Sequence, residues 1–148
     1  WVFFIYLFIN NLTIMEKISK EQAIQEIQSL VFEHTFENKT TDEIEKDYPQ
    51  LIKAVIDGKC VLGDKPTLEL YKPITDDEGN VTTSIIEFKT RIKPLAMASL
   101  TKGVDMSKET YMAVILMNCH LSGLAKGLYN NLSKIDEKVV SQLCSIFL

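Results

Sequence analysis

The feature that most limits what this chain can fold into is a change of apolar spacing in its middle. Before residue 58 the apolar residues recur at helical intervals, from Thr67 they alternate, and beyond Pro94 they return to helical spacing. Thr67 to Ile74 reads TLELYKPI, with Leu68 and Leu70 on one side and Glu69 on the other. Asp76-Asp77-Glu78-Gly79-Asn80 is a cluster of turn formers. Val81 to Ile92 then reads VTTSIIEFKTRI, where Ile86, Phe88, Thr90 and Ile92 alternate with Glu87, Lys89 and Arg91. Successive side chains of a strand point to opposite faces, so each run is a strand with one wet face and the two form a β-hairpin. A hairpin alone is marginal in water. Its apolar face must lie on helices, and the expected class is α+β: one hairpin at about 67–92 packed on a small C-terminal helical bundle, with an N-terminal helical extension.

The helical parts carry their own punctuation. Ser19-Lys20-Glu21-Gln22 is a capping box, and Ala23, Ile24, Ile27, Leu30 and Val31 form one stripe over residues 20–34. Thr40-Thr41-Asp42-Glu43 offers a second start. Pro49 ends that helix and opens another, carrying Leu51, Ile52, Val55 and Ile56 and closed by Gly58. After the hairpin, Pro94 begins a segment with Leu95, Met97 and Leu100 that ends near Gly103. Ser107 is expected to cap a helix through Tyr111, Met112, Val114, Ile115, Leu116, Met117 and Leu121, stopped by Gly123. That helix is apolar nearly all round, so it is expected to be the most buried element. Leu124, Leu128 and Leu132 mark a shorter stretch. Ser133-Lys134-Ile135-Asp136 caps the last helix, with Ile135, Val139, Leu143 and Ile146 on one face.

The N-terminus stands apart. Trp1 to Ile9 reads WVFFIYLFI, nine apolar residues in a row, whereas a spanning helix needs roughly 20. No basic start or small-residue cleavage site marks it as a signal peptide. Met15 is expected to be the natural start, with residues 1–14 as translated upstream sequence; a membrane-inserted N-terminus is the rival reading. The chain then divides into that tail, a helical region over 15–60, and a hairpin-plus-helices domain over 61–148.

Chemistry is sparse. The net charge is −4 and no basic stripe exists, so nucleic acid is not an expected partner. Three cysteines, Cys60, Cys119 and Cys144, with no CxxC spacing fit a reduced compartment better than a disulfide framework. His34 and His120 are the only histidines. Cys119-His120 would point about 100° apart on a helix, with no second cluster to complete a metal site and no orienting acid for a nucleophile. Asp76 to Asn80 lacks the spacing of a calcium loop and reads as a plain turn. No phosphate-binding glycine pattern follows a strand. No catalytic residue, metal or cofactor is expected. The remaining candidate surface is the Met-containing helix with Met106, Met112 and Met117, whose thioethers suit a partner helix, although core filling is the plainer account of them. Tyr111, Met112, Ile115 and Leu116 are the candidate partner-binding residues.

The ordered combination of Ala54-Val55-Ile56-Asp57-Gly58-Lys59, Lys65-Pro66-Thr67-Leu68-Glu69-Leu70-Tyr71-Lys72-Pro73-Ile74, the acidic glycine turn, Phe88-Lys89-Thr90-Arg91-Ile92-Lys93-Pro94, Leu121-Ser122-Gly123-Leu124 and Leu132-Ser133-Lys134-Ile135-Asp136 resembles the small tail assembly chaperones of Mu- and P2-type contractile-tailed phages. The resemblance covers roughly residues 49–148. Each motif alone is a generic turn or cap, and the match at Arg91-Ile92-Lys93-Pro94 is approximate. The resemblance implies a non-enzymatic protein of the host cell cytoplasm, absent from the finished virion. Such a protein binds the tape measure protein and keeps it soluble during tail morphogenesis. The tail-tube protein and a second copy of the chain are further candidate partners, and no membrane is involved if translation starts at Met15. On physical grounds a groove between the hairpin and the Tyr111–Leu121 helix is expected to receive the client in helix-in-groove fashion. The alternative is a small regulatory or immunity-type module with its interface on residues 20–57. A membrane-anchored accessory protein and an unrecognised enzyme follow behind.

Overall fold

The computed structural model describes residues 18–148, so the readings placed on residues 1–14 and on Met15 lie outside the described residues. The elements run α1 (Lys20–Thr35), α2 (Thr41–Asp47), α3 (Pro49–Ile56), β1 (Cys60–Val61), β2 (Thr67–Thr75), β3 (Val81–Glu87), α4 (Pro94–Leu100), α5 (Thr110–Ser122), α6 (Lys126–Asn130) and α7 (Lys134–Ile146). The class is α+β, as expected.

Local chemistry explains most boundaries. Ser19 and Thr40 form reciprocal capping boxes with Gln22 and Glu43. Helix α3 ends in a Schellman arrangement. Gly58 at φ 72° donates its N–H to Val55 O, and the Lys59 N–H reaches back to Ala54 O at 2.9 Å. A side chain with a Cβ disfavours that φ, so glycine suits the position.

The sheet holds three antiparallel strands in the order β1-β2-β3. The two-residue β1, not anticipated from the sequence, pairs Cys60 with Leu68 and Val61 with Thr67. The second strand of the hairpin is shorter than expected. It ends at Glu87, and the next residues leave the sheet when the Lys89 N–H donates to Leu121 O, the penultimate carbonyl of α5. The alternation through Thr90 and Ile92 is real in sequence, but the last bond toward β2 is that of the Phe88 N–H to Pro66 O, and the Lys89 N–H, on the other side of the strand, goes to the end of α5. Leu68, Leu70, Ile74, Ile86 and Phe88 cover the inner face of the sheet and are all buried.

A correction concerns the centre of the molecule. Helix α5 is not the most buried element: Tyr111 is 74% exposed and Met112 47%. Ser107 does not cap it either. The helix starts at Thr110 after Glu109, while Ser107 donates to the Asp105 carboxylate in the preceding turn. The central helix is α7, whose Val139, Val140, Leu143 and Cys144 are fully buried. It packs on α1, α3, α5 and β2. An all-round apolar helix needs neighbours on every side. Here α4 and α7 cover α5 only partly. The apolar stripe of α1 also enters this core: Ala23, Ile27, Ile44, Leu51, Leu68, Leu121 and Leu143 belong to one cluster with no exposed surface. One core therefore runs through both the 15–60 and 61–148 segments.

Candidate functional site

Two polar side chains of α7 fix the positions of distant elements. Between the pairs Glu69–Ile85 and Ile74–Thr83, β2 advances five residues while β3 advances two. The intervening bulge leaves the Tyr71 and Lys72 N–H groups without ladder partners. The Asp136 carboxylate takes both: Oδ1 accepts from Tyr71 at 2.9 Å and Oδ2 from Lys72 at 3.0 Å. Ser133, the N-cap, donates its hydroxyl to the same carboxylate at 2.7 Å. Asp136 has no exposed surface. In sequence Asp136 is part of a helix cap; its strand contacts, 65 and 64 positions away, leave no local signal. Gln142 does a similar task for α3, whose N-cap Tyr48 supplies no side-chain bond. Its Oε1 accepts from the Gln50 and Leu51 N–H groups at 3.0 and 2.9 Å, and its amide donates to Gln50 Oε1.

Three of the four candidate partner-binding residues, Tyr111, Met112 and Ile115, sit on the side of α5 facing α6. Tyr111 and Ile115 are four residues apart and share a face. With Met112 they form one wall of a shallow cleft of about 400 Å³, whose other walls are Lys126, Tyr129 and Asn130 of α6, Leu132, and Glu137 of α7. Leu116 is not in the wall; it is 9% exposed and lies on the buried side. The hairpin contributes nothing to this lining, so the cleft lies between α5, α6 and the start of α7 and not against the sheet. Hydrogen bonds tie the elements of its lining together. The Tyr129 hydroxyl accepts from Asn118 Nδ2 at 3.2 Å and donates to Glu137 Oε1 at 3.3 Å. Burial, chiefly, pushes the Tyr129 phenol up to about 12, so it stays protonated at neutral pH. Asn118 is 1% exposed and its Oδ1 has no hydrogen-bond partner.

Reactive groups are held in unreactive states. All three cysteines are free and buried. Burial pushes the Cys60 thiol up to about 12 and raises Cys119 and Cys144 as well, so none is a ready thiolate. The His34 ring lies edge-on to Phe147 at 4.9 Å. Among the described residues no three His, Cys, Asp or Glu side chains gather as a metal site, and no helix is long and apolar enough to cross a membrane. In the acidic turn, the Asp76 carboxylate accepts from the Glu78 and Asn80 N–H groups, which is the bonding of a self-contained turn.

The site and fold thus define a small α+β protein with an open, largely apolar cleft whose lining is joined by the Asn118–Tyr129–Glu137 bonds. Comparison with protein-family models, with curated proteins and with solved structures finds no match for this chain.

Proposed function

We propose that this chain is a binding protein for an apolar, helical client, and that the client is the tape measure protein of a contractile phage tail, kept soluble during assembly. The observation that carries the reading is the exposed apolar wall of α5. Tyr111 and Met112 are 74% and 47% exposed beside the half-buried Ile115, on a floor anchored by the Tyr129–Glu137 bond. A cleft of this kind accepts a few apolar side chains from one face of an amphipathic helix. Met112 can adapt its shape to them. Lys126 and Glu137 at the rim offer charges of both signs for orientation. A shallow, open site favours modest affinity, which suits a client that tail-tube subunits must later displace. The order of motifs from Pro49 onward supports the choice of client.

Co-expression of the full chain with a cognate tape measure protein tests the reading. The expected result is a soluble complex that Tyr111→Asp with Met112→Asp disrupts, weakening binding at least tenfold while the far-ultraviolet circular dichroism is unchanged. Absence of a complex, or a complex indifferent to both substitutions, would sink the proposal.

The immunity-type alternative has its own surface. Phe32 and Phe36, at the end of α1, stack edge to face at 6.1 Å and are 46% and 79% exposed. Phe36 occupies the left-handed region at φ 58°, which a bulky residue enters at a cost. A partner that needs the two phenylalanines and ignores Tyr111 would favour this second reading.

A further inference from the structure

The two edges of the sheet are built differently. β1 is only two residues long, which leaves little backbone to pair. Among the described residues, β3, seven residues long, stands at the other edge. Folded proteins usually guard such an edge with charge or proline. Val81 to Ile86 reads VTTSII and has neither; the one charge of the strand, Glu87, stands at its last position. Val81 and Ile85 are 60% and 64% exposed on it. The Phe88 N–H donates to Pro66 O at 2.8 Å. In an antiparallel ladder the direction of these groups alternates, so those of Ile86 also face β2 while those of Ile85 and Glu87 face the open side.

The flanks of β3 indicate what covers it. Asp76, Asp77 and Glu78 precede the strand, and Lys89 and Arg91 follow it. The segment is therefore self-complementary when two copies run antiparallel, and self-repelling when they run parallel. We propose that this chain forms a two-fold dimer in which β3 pairs antiparallel with β3 of a second copy, joining two three-stranded sheets into one of six strands. The axis passes at Ser84, the midpoint of Val81–Glu87. That register pairs the outward-facing Thr83 and Ile85 with each other across the axis, on the regular side of the irregularity that the ladder-paired Thr83 and Val81 enclose at Thr82. It also brings Asp77 and Glu78 of each copy to the Lys89 and Arg91 end of the other. The interface is isologous and closes at two. It stands apart from the α5 cleft, so its failure would leave the client reading intact.

Sedimentation equilibrium of the full chain at low salt is the test. A seven-residue edge is far smaller than a standard stable interface, so a Kd on the order of tens of micromolar is expected. Ile85→Lys, at an exposed position, raises it more than tenfold. Lys89→Glu with Arg91→Glu raises it about tenfold at low salt, because each exposed ion pair occurs twice across the axis. Adding Asp77→Lys with Glu78→Lys to that variant restores dimerisation. Ser84→Cys places two thiols at a non-hydrogen-bonded pair, about 4.5 Å apart at Cα, within disulfide range. With the native cysteines buried, mild oxidation yields a covalent dimer. A chain that stays monomeric at millimolar concentration overturns the proposal. So does association that ignores Ile85→Lys, as it would if the apolar residues 1–9 drove it. Open-ended aggregates in place of a dimer, or a Ser84→Cys protein that dimerises without cross-linking, do the same.

Discussion

Replacing Asp136 by Ala tests the account of how the sheet is locked to the helices. The carboxylate accepts two backbone N–H bonds from β2 and one hydroxyl bond from Ser133. A hydrogen bond to a charged group contributes about 1.5–3 kcal/mol, and a buried donor left unpaired costs about 1–3 kcal/mol. Lys72 is exposed, so its amide can turn to water when the carboxylate is gone; Tyr71 is half-buried and cannot do so fully. Counting Tyr71 in full and Lys72 at the low end gives a loss of about 3 kcal/mol for Asp136→Ala. Asp136→Asn keeps one carbonyl oxygen but turns an NH₂ towards a donor, so about 2 kcal/mol is expected. Ser133→Ala removes the cap and its hydroxyl bond to the carboxylate but leaves the strand bonds, and should cost about 1–2 kcal/mol. Urea denaturation of the three variants measures these differences. For a domain of this size 3 kcal/mol corresponds to a fall in Tm of roughly 10 °C. Amide exchange adds a local readout, since Tyr71 and Lys72 should be protected in the parent and lose protection together in Asp136→Ala. A loss under about 0.5 kcal/mol, or fast exchange at Tyr71 in the parent, would refute the clamp.

Three further perturbations follow. Gln142→Ala removes the acceptor of the α3 N-terminal amides, and a destabilisation of about 1–2 kcal/mol in urea is expected; Gln142→Glu, which keeps an oxygen, should retain most of the stability. Asn118→Leu removes an Oδ1 that has no partner among the described residues and, with it, the Nδ2 bond to Tyr129, which keeps its bond to Glu137, so the urea midpoint should rise by the equivalent of about 0.5–1 kcal/mol, and a fall would show that the lost amide bond outweighs the unpaired oxygen. Stability should also decline on the alkaline side. The Cys60 thiol and Tyr129 phenol are both held near 12 by burial, against about 8.5 and about 10 when unfolded. Because the folded state binds the extra protons, their contribution is complete below the unfolded values and is lost as pH rises towards 12, at up to about 1.4 kcal/mol per pH unit for each group. Urea midpoints at pH 8, 10 and 11 measure the slope, which Cys60→Ala with Tyr129→Phe should flatten.

Much of the fold was legible because it is written in local chemistry. The capping boxes at Ser19 and Thr40, the break at Pro49, the cap at Gly58 and the alternation around Leu68 and Ile86 each involve residues a few positions apart. What escaped was set by partners far along the chain. β1 exists only because Cys60 meets Leu68. β3 stops at Glu87, and the Lys89 amide beyond it is set by Leu121 of α5. The candidate site was half legible. Tyr111, Met112 and Ile115 do line one cleft, but Leu116 faces inward, and α6 replaces the hairpin as the opposite wall. Sequence periodicity fixes which residues share a helix face. It does not say which helix will cover that face.

The same limit explains why α5 was misjudged, and what its exposure implies. A helix apolar on all sides is normally a buried one, and the core had other candidates for its centre. α7 has a polar side that can face water, yet it takes the middle position because Asp136 and Gln142 tie it to β2 and α3 through backbone groups that would otherwise lack partners. Satisfying those groups fixes α7 against the sheet and displaces α5 to the flank. There its N-terminal turn leaves Tyr111 and Met112 in water. Exposed apolar surface of this kind is an aggregation liability unless something binds it. A substitution such as Tyr111→Ser should therefore leave stability within about 0.5 kcal/mol and improve the solubility of the isolated chain, while removing client binding. If Tyr111→Ser instead destabilised the fold by 2 kcal/mol or more, the side chain would be core, and the cleft would not be a site.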